Sequence, residues 1–261
     1  MNNLQHSRCT IAGCPVDAVS FAEVLAALAH RIEERIPTHV VFVNAAKIVR
    51  FRDDPELNAA MRGADLLLAD GVPVVWASRL LGQPLPGRVA GIDLAQEMVA
   101  LAAHRGYRVF FLGARADVLA KAIAQLLQRH PQLKVAGSHD GYFTPADEIA
   151  LIEEINESMA DLLLLGMGTP QKELWAARNL PLLNVPVLQG AGGSFDVIAG
   201  VIPRAPLWMQ KTGLEWLYRL GQEPRRMWRR YLHANPRFVW LVLKDFISRR
   251  FAGENPAARS G

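Results

Sequence analysis

The chain is poor in the residues that build small stapled or metal-centred folds. Its 261 residues include two cysteines, Cys9 and Cys14, which form neither a disulfide framework nor a zinc set; a pair of reduced structural thiols in a cytoplasmic protein is the expectation. The seven histidines fall at no metal-ligand spacing and no Asp-x-Asp occurs, so neither a divalent-ion site nor a resident cofactor is expected. No apolar run approaches the roughly 18 residues that a bilayer-spanning helix needs. The first residues, with His6 and Arg8, lack an apolar run of signal-peptide length and do not read as exported. Internal repeats and long low-complexity linkers are absent, and only residues 252–261 read as a disordered tail.

Apolar content of 51% is present in a chain long enough to bury a large core. Short apolar runs at residues 40–43, 66–68, 109–112, 135–136, 162–165 and 185–188 alternate with amphipathic stretches such as 116–128 and 146–158. That alternation predicts an α/β fold with an open, mostly parallel, doubly wound (Rossmann-like) sheet covered by helices. Residues 9–16 read as an extra hairpin and 21–34 as a helix. The expected layout is an α/β catalytic domain over residues 1–205 and a basic helical appendage over 206–251.

Charge is distributed unevenly. Residues 1–210 carry 18 basic and 21 acidic side chains, residues 211–251 carry 10 and 3, and the whole chain is +4. An acidic-to-neutral body with a basic end favours an acidic partner there, either a phospholipid surface or nucleic acid.

Ligands of doubly wound sheets sit outside the carboxyl ends of the strands. Four such ends carry polar chemistry: Asn44, Asp70-Gly71, Gly166-Met167-Gly168-Thr169-Pro170-Gln171, and Gly190-Ala191-Gly192-Gly193-Ser194-Phe195-Asp196. Asp70 is the candidate catalytic carboxylate, because partial desolvation at a strand end makes a better base; the competing reading is a cap for the helix opened by Pro73. In the Gly166–Gly168 turn, Thr169 is expected to cap a helix whose amides face an anion while Gln171 points to the ligand. The Gly190, Gly192 and Gly193 turn is expected to offer bare amides to a phosphate. Arg88 and Arg204, in loops beside prolines, suit a phosphate clamp. Asn44 suits a sugar hydroxyl, and Tyr142 a base or sugar ring, although single aromatics after strands are usually core. Any diphosphate charge would be met by amides, helix N-termini and arginines.

The basic block predicts helices over about 207–220, 224–233 and 236–250. Trp208, Trp216, Leu217 and Leu220, then Met227, Trp228 and Tyr231, fall at helical spacing beside Arg219, Arg225, Arg226, Arg229 and Arg230. Such helices can lie in a membrane interface. The run 238–243 points to a surface that meets lipid or another subunit, which leaves a homo-oligomer open.

As a set, these motifs resemble the WecG/TagA/CpsF glycosyltransferases. Asn44, Leu68-Ala69-Asp70-Gly71, Arg88 with Gly91-Ile92-Asp93, Asp140-Gly141-Tyr142-Phe143, Gly166 to Glu173, Gly190 to Asp196, Arg204-Ala205-Pro206, Gly213-Leu214-Glu215-Trp216 and Arg229-Arg230-Tyr231 occur in the family's order across residues 9–246. The resemblance implies a peripheral enzyme of the inner membrane face that moves a sugar, with inversion, from a UDP-sugar donor to a polyprenyl-diphosphate-linked monosaccharide. It implies Asp70 as general base, Asn44 and Gln171 as donor or acceptor contacts, and Arg88 as a diphosphate ligand. Gly190 to Asp196, with Tyr142, would shape the nucleotide pocket, and Arg219, Arg226 and Arg229 would close over the site. One departure is Phe42, where the family often has a threonine.

Two other readings compete. In a nicotinamide-dependent oxidoreductase the turn would continue to a third glycine, but Phe195 stands there, and Gln210 rather than an acid follows about twenty residues on. A non-enzymatic nucleic-acid binder would use the basic tail, but no recognised motif supports it.

Overall fold

A computed structural model of the chain describes residues 7–222 and 224–253, without the side chains of residues 211, 219, 225–233, 252 and 253. The tail expected after residue 251 lies almost wholly outside the described residues. Strands β1 (Arg8–Ile11) and β2 (Cys14–Asp17) form an antiparallel hairpin. Six more strands follow: β3 (Thr38–Val43), β4 (Leu66–Ala69), β5 (Arg108–Gly113), β6 (Lys134–His139), β7 (Leu162–Gly166) and β8 (Val187–Gly190). They make one sheet in the order β4-β3-β8-β7-β5-β6, with every pairing parallel. All six strands expected from the apolar runs are present.

Helices cover both faces. In chain order they are α1 (Phe21–Glu33), α2 (Ala45–Asp53), α3 (Pro55–Arg62), α4 (Val72–Leu80), α5 (Gly91–Arg105), α6 (Ala116–Arg129), α7 (Glu148–Glu157), α8 (Gln171–Asn179), α9 (Ser194–Ile198), α10 (Leu207–Lys211), α11 (Glu215–Gln222) and α12 (Pro224–Gly253). Alternation along β4 explains why its run is apolar throughout. Leu66 and Leu68 face a core shared with α1, α5, α6 and α9, whereas Leu67 and Ala69 face one shared with the hairpin, α2, α3 and α4. A third cluster packs α7 and α8 on β5, β7 and β8.

The basic block differs from its expected layout. Its last helix is one continuous segment through Pro236, where proline removes a helix hydrogen bond. Phe238, Leu241 and Val242 are buried in the hairpin's core, while Val239, Trp240 and Leu243 of the same run are exposed. Arg237 pairs with Asp53 at 2.6 Å, Asp245 accepts from the Ala12 amide at 3.1 Å, and Arg249 donates to the Thr10 carbonyl at 2.6 Å. The second half of α12 is thus bound to the body by packing and by charge.

Candidate active site

The parallel strands deliver their carboxyl ends to one edge, where β4, β3, β8 and β7 are neighbours. At the end of β4, the Asp70 amide donates to the Val43 carbonyl at 2.8 Å, which ties the ends of β3 and β4 together. The cap of α4 falls on Gly71, so the carboxylate of Asp70 does not serve as that cap. Its side chain is 29% exposed, and Oδ1 lies 3.8 Å from Arg88 Nη2. Arg88 also donates to Glu215 Oε2 at 2.7 Å and to the Gln210 carbonyl at 3.3 Å, so residues of α10 and α11 close over this arginine. Arg204 makes a two-pronged pair with Asp93, at 2.6 and 2.8 Å. That bond, together with the nearby charges of Asp93, Glu215 and Asp70, raises its pKa against the effect of burial. Arg88 and Arg204 each keep a buried Nε without a protein partner.

The glycine turns divide into packed and open positions. A Cβ on Gly166 would stand 2.3 Å from the Phe195 ring, so this glycine exists to admit that ring. Gly168 and Gly192, the latter at φ +53°, have nothing within 4 Å of that position and border open space. The amides of Ala191 and Gly192 both donate to the Leu165 carbonyl, at 2.7 and 3.0 Å. The expectation of a bare-amide turn is corrected to that extent: the turn folds back on β7. Tyr142, which follows β6, is 76% exposed rather than core. Tyr142 and Asp196 both act electrostatically on Arg115, whose main partner is Asp117 at 2.9 Å.

Between α2 and α8 lies a buried network. Asn44 Oδ1 caps α2 by accepting from the Lys47 amide at 3.0 Å. Lys47 Nζ donates to Glu173 Oε1 at 2.6 Å, and Lys172 Nζ to Thr169 Oγ1 at 2.6 Å. Thr169 therefore does not cap α8, whose cap position is Pro170, following a cis peptide bond; its hydroxyl is held instead by Lys172 and Glu173. Burial would raise the Glu173 pKa, but Lys47 and Lys172 outweigh it and hold it at about 2. Burial pushes His39, behind the network, down to about 4. Gln171, the first residue of α8, is exposed.

The profile of the glycosyl transferase WecG/TagA/CpsF family matches residues 9–252. The chain belongs to that family. It is 38% identical over 191 residues to an N-acetylglucosaminyldiphosphoundecaprenol N-acetyl-beta-D-mannosaminyltransferase of Bacillus spizizenii, covering 73% of each chain. It is 32% identical over 216 residues to the Bacillus subtilis protein of the same description, covering 83% of each. Family membership makes the protein a glycosyltransferase and sets aside the oxidoreductase and nucleic-acid readings.

In this glycosyltransferase the structure brings Asp70, Arg88 and Arg204 into one cluster at the end of β4, and Gly190, Gly192 and Gly193 into the turn after β8, two strands away beyond β3, with Asp196 in α9. Tyr142, beyond the end of β6, is linked to Asp196 through Arg115, on which both act. The side chains of Arg219, Arg226 and Arg229 lie outside the described residues. Reading motifs one at a time missed the partners: Glu215 and Asp93 on the arginines, Arg115 between Tyr142 and Asp196, and Lys47 with Lys172 around Glu173. The available signal for Arg115 was its place at the end of an apolar strand, as the N-cap of α6.

Proposed function

We propose that this glycosyltransferase moves a hexose or N-acetylhexosamine from a UDP-sugar to a polyprenyl-diphosphate-linked monosaccharide in bacterial surface polysaccharide synthesis. The observation that carries the reading is the partly exposed Asp70 carboxylate at a strand end, 3.8 Å from Arg88, in a chain of this family. Asp70 takes the proton from the acceptor hydroxyl, the freed oxygen attacks the anomeric carbon, and UDP leaves from the opposite face, which inverts the centre. Arg88 and Arg204, each with a spare buried Nε, meet the charge of the diphosphates without a metal ion. Asn44 and Gln171 contact sugar groups. Tyr142 and Asp196 line the nucleotide side, next to the open positions at Gly192 and Gly168.

The enzyme works at the inner face of the cell membrane. No helix among the described residues is long and apolar enough to cross it. Exposed Leu207, Trp208, Leu217 and Trp240, close in sequence to the basic residues of the last three helices, and exposed Trp76 of α4, which packs near Gly213, suit an anionic interface.

The relatives' descriptions make UDP-N-acetylmannosamine and a GlcNAc-diphosphoprenol the first pair to try. Supplying a panel of UDP-sugars with a short-chain prenyl-diphosphate monosaccharide should yield one disaccharide and free UDP, with the new linkage inverted by NMR. Absence of a disaccharide from every donor, with well-folded enzyme, removes the reading.

A further inference from the structure

One carboxylate oxygen ties together two of the strand ends that border the crevice. Glu173 Oε1 accepts from Lys47 Nζ at 2.6 Å and from Thr169 Oγ1 at 3.2 Å. Lys47 stands in the first turn of α2, after β3; Thr169 lies in the turn after β7, and Glu173 in the first turn of α8. Lys47 is held at both ends, because its amide donates to Asn44 Oδ1 at 3.0 Å while its ammonium donates to Glu173. On the other side Gln171 lies between the two bonded residues Thr169 and Glu173. Arg50, about one turn further along α2, adds a bond to the Thr169 carbonyl at 3.3 Å. Asn44 and Gln171 are therefore carried by elements joined through one side chain.

The pair of Lys47 with Glu173 is buried, with side chains 4% and 1% exposed. A buried ion pair is a weak means of stabilising a fold, since apolar groups of similar volume often do as well or better. What charge-assisted hydrogen bonds add is geometry: they fix the separation and angle of the elements that carry them. The strand between β3 and β7 is β8, and its last residue is Gly190; a Cβ there would stand 3.3 Å from Lys172 Cε, so the glycine leaves room for α8's first turn to lean over the strand end toward α2.

We infer that Glu173 is a positioning residue for sugar transfer, which through Lys47 and Thr169 sets Asn44 and Gln171 against the same substrate. The inference rests on the reading of Asn44 and Gln171 as sugar contacts.

The test uses full-length variants with UDP-N-acetylmannosamine and a short-chain GlcNAc-diphosphoprenol. Glu173→Gln keeps an acceptor and removes the charge, and Lys47→Met with Glu173→Leu replaces the pair by apolar groups. The apolar double variant should melt at or above the wild-type temperature, with UDP affinity by calorimetry nearly unchanged. Its kcat should nevertheless fall by about tenfold to a hundredfold, the loss expected when contacts are misplaced by about an ångström. Because Glu173 acts through Gln171, Glu173→Gln combined with Gln171→Ala should cost less than the product of the two single losses. A wild-type kcat in the apolar double variant overturns the inference, as does a multiplicative loss in the combined variant. A low kcat that tracks a lowered melt, and recovers with it on cooling, marks a structural role and also overturns it. Wild-type rates for both Asn44→Ala and Gln171→Ala sink the sugar-contact reading and the inference with it. Impaired rates for those two beside unimpaired Glu173 variants sink the inference alone.

Discussion

Asp70 ends a strand whose four residues are all buried, yet its own side chain is partly exposed. Because Gly71 takes the cap position, the carboxylate is not needed to start α4. Asp70→Asn should therefore leave the melting temperature and UDP affinity nearly unchanged while transfer falls by about 10²–10⁴, the range supplied by general base catalysis. A rate within a few fold of wild type would take Asp70 out of that role. His39 gives a second residue-level prediction. Its pKa is depressed in the folded protein from 6.5 to about 4, so between those values the unfolded chain binds the extra proton. Stability is full above about pH 6.5 and falls as pH drops toward 4, by on the order of 3 kcal/mol. Urea unfolding of wild type and His39→Leu at pH 7.5 and 4.5 should show the wild type losing more; parallel losses would exclude His39 as the source. Asp70 was legible in the sequence because a strand-end acid is a local pattern. The environment of His39 was not, since its burial is set by α2 and α8 packing over β3.

At the scale of elements, the turn after β8 shows how packing and binding share a motif. Phe195 of α9 presses on Gly166 at the end of β7, with 2.3 Å to a Cβ there. Gly166→Ala should destabilise by about 1–3 kcal/mol through overpacking, read by chemical denaturation, and Phe195→Leu should recover part of that loss in the double variant. Additive losses would show that the two do not meet. From sequence, a glycine in such a turn reads equally as an anion cradle or a packing gap. Gly166 is a gap and Gly192 borders open space, and only the position of the facing ring decides between them. The same ambiguity affected Thr169, whose place before Pro170 suggested a cap while its hydroxyl joins Lys172 and Glu173.

For the whole molecule, the basic end and the body are bound together through the second half of α12. Removing residues from Lys211 onward would take away Phe238, Leu241 and Val242 and expose the hairpin core, so truncation should unfold part of the body as well as abolish lipid binding. Exposed positions make the cleaner test. Trp208→Ala combined with Trp240→Ala should reduce co-sedimentation with anionic vesicles several-fold without shifting the melt. Raised salt should weaken binding further by screening the basic helices. Unchanged sedimentation would argue against a lipid-facing role for these tryptophans.

The sequence by itself determined the layered α/β architecture, because strands buried on both faces must be apolar throughout and helices must be amphipathic. It also determined the segregation of positive charge and the polar residues at four strand ends. Only the tertiary structure decided which charges meet: Arg88 with Glu215, Arg204 with Asp93, and Lys47 with Glu173 are separated by 127, 111 and 126 positions. Neighbouring parallel strands are joined by crossovers, so side chains that share a strand-end crevice are distant in the chain. No local pattern records their pairing.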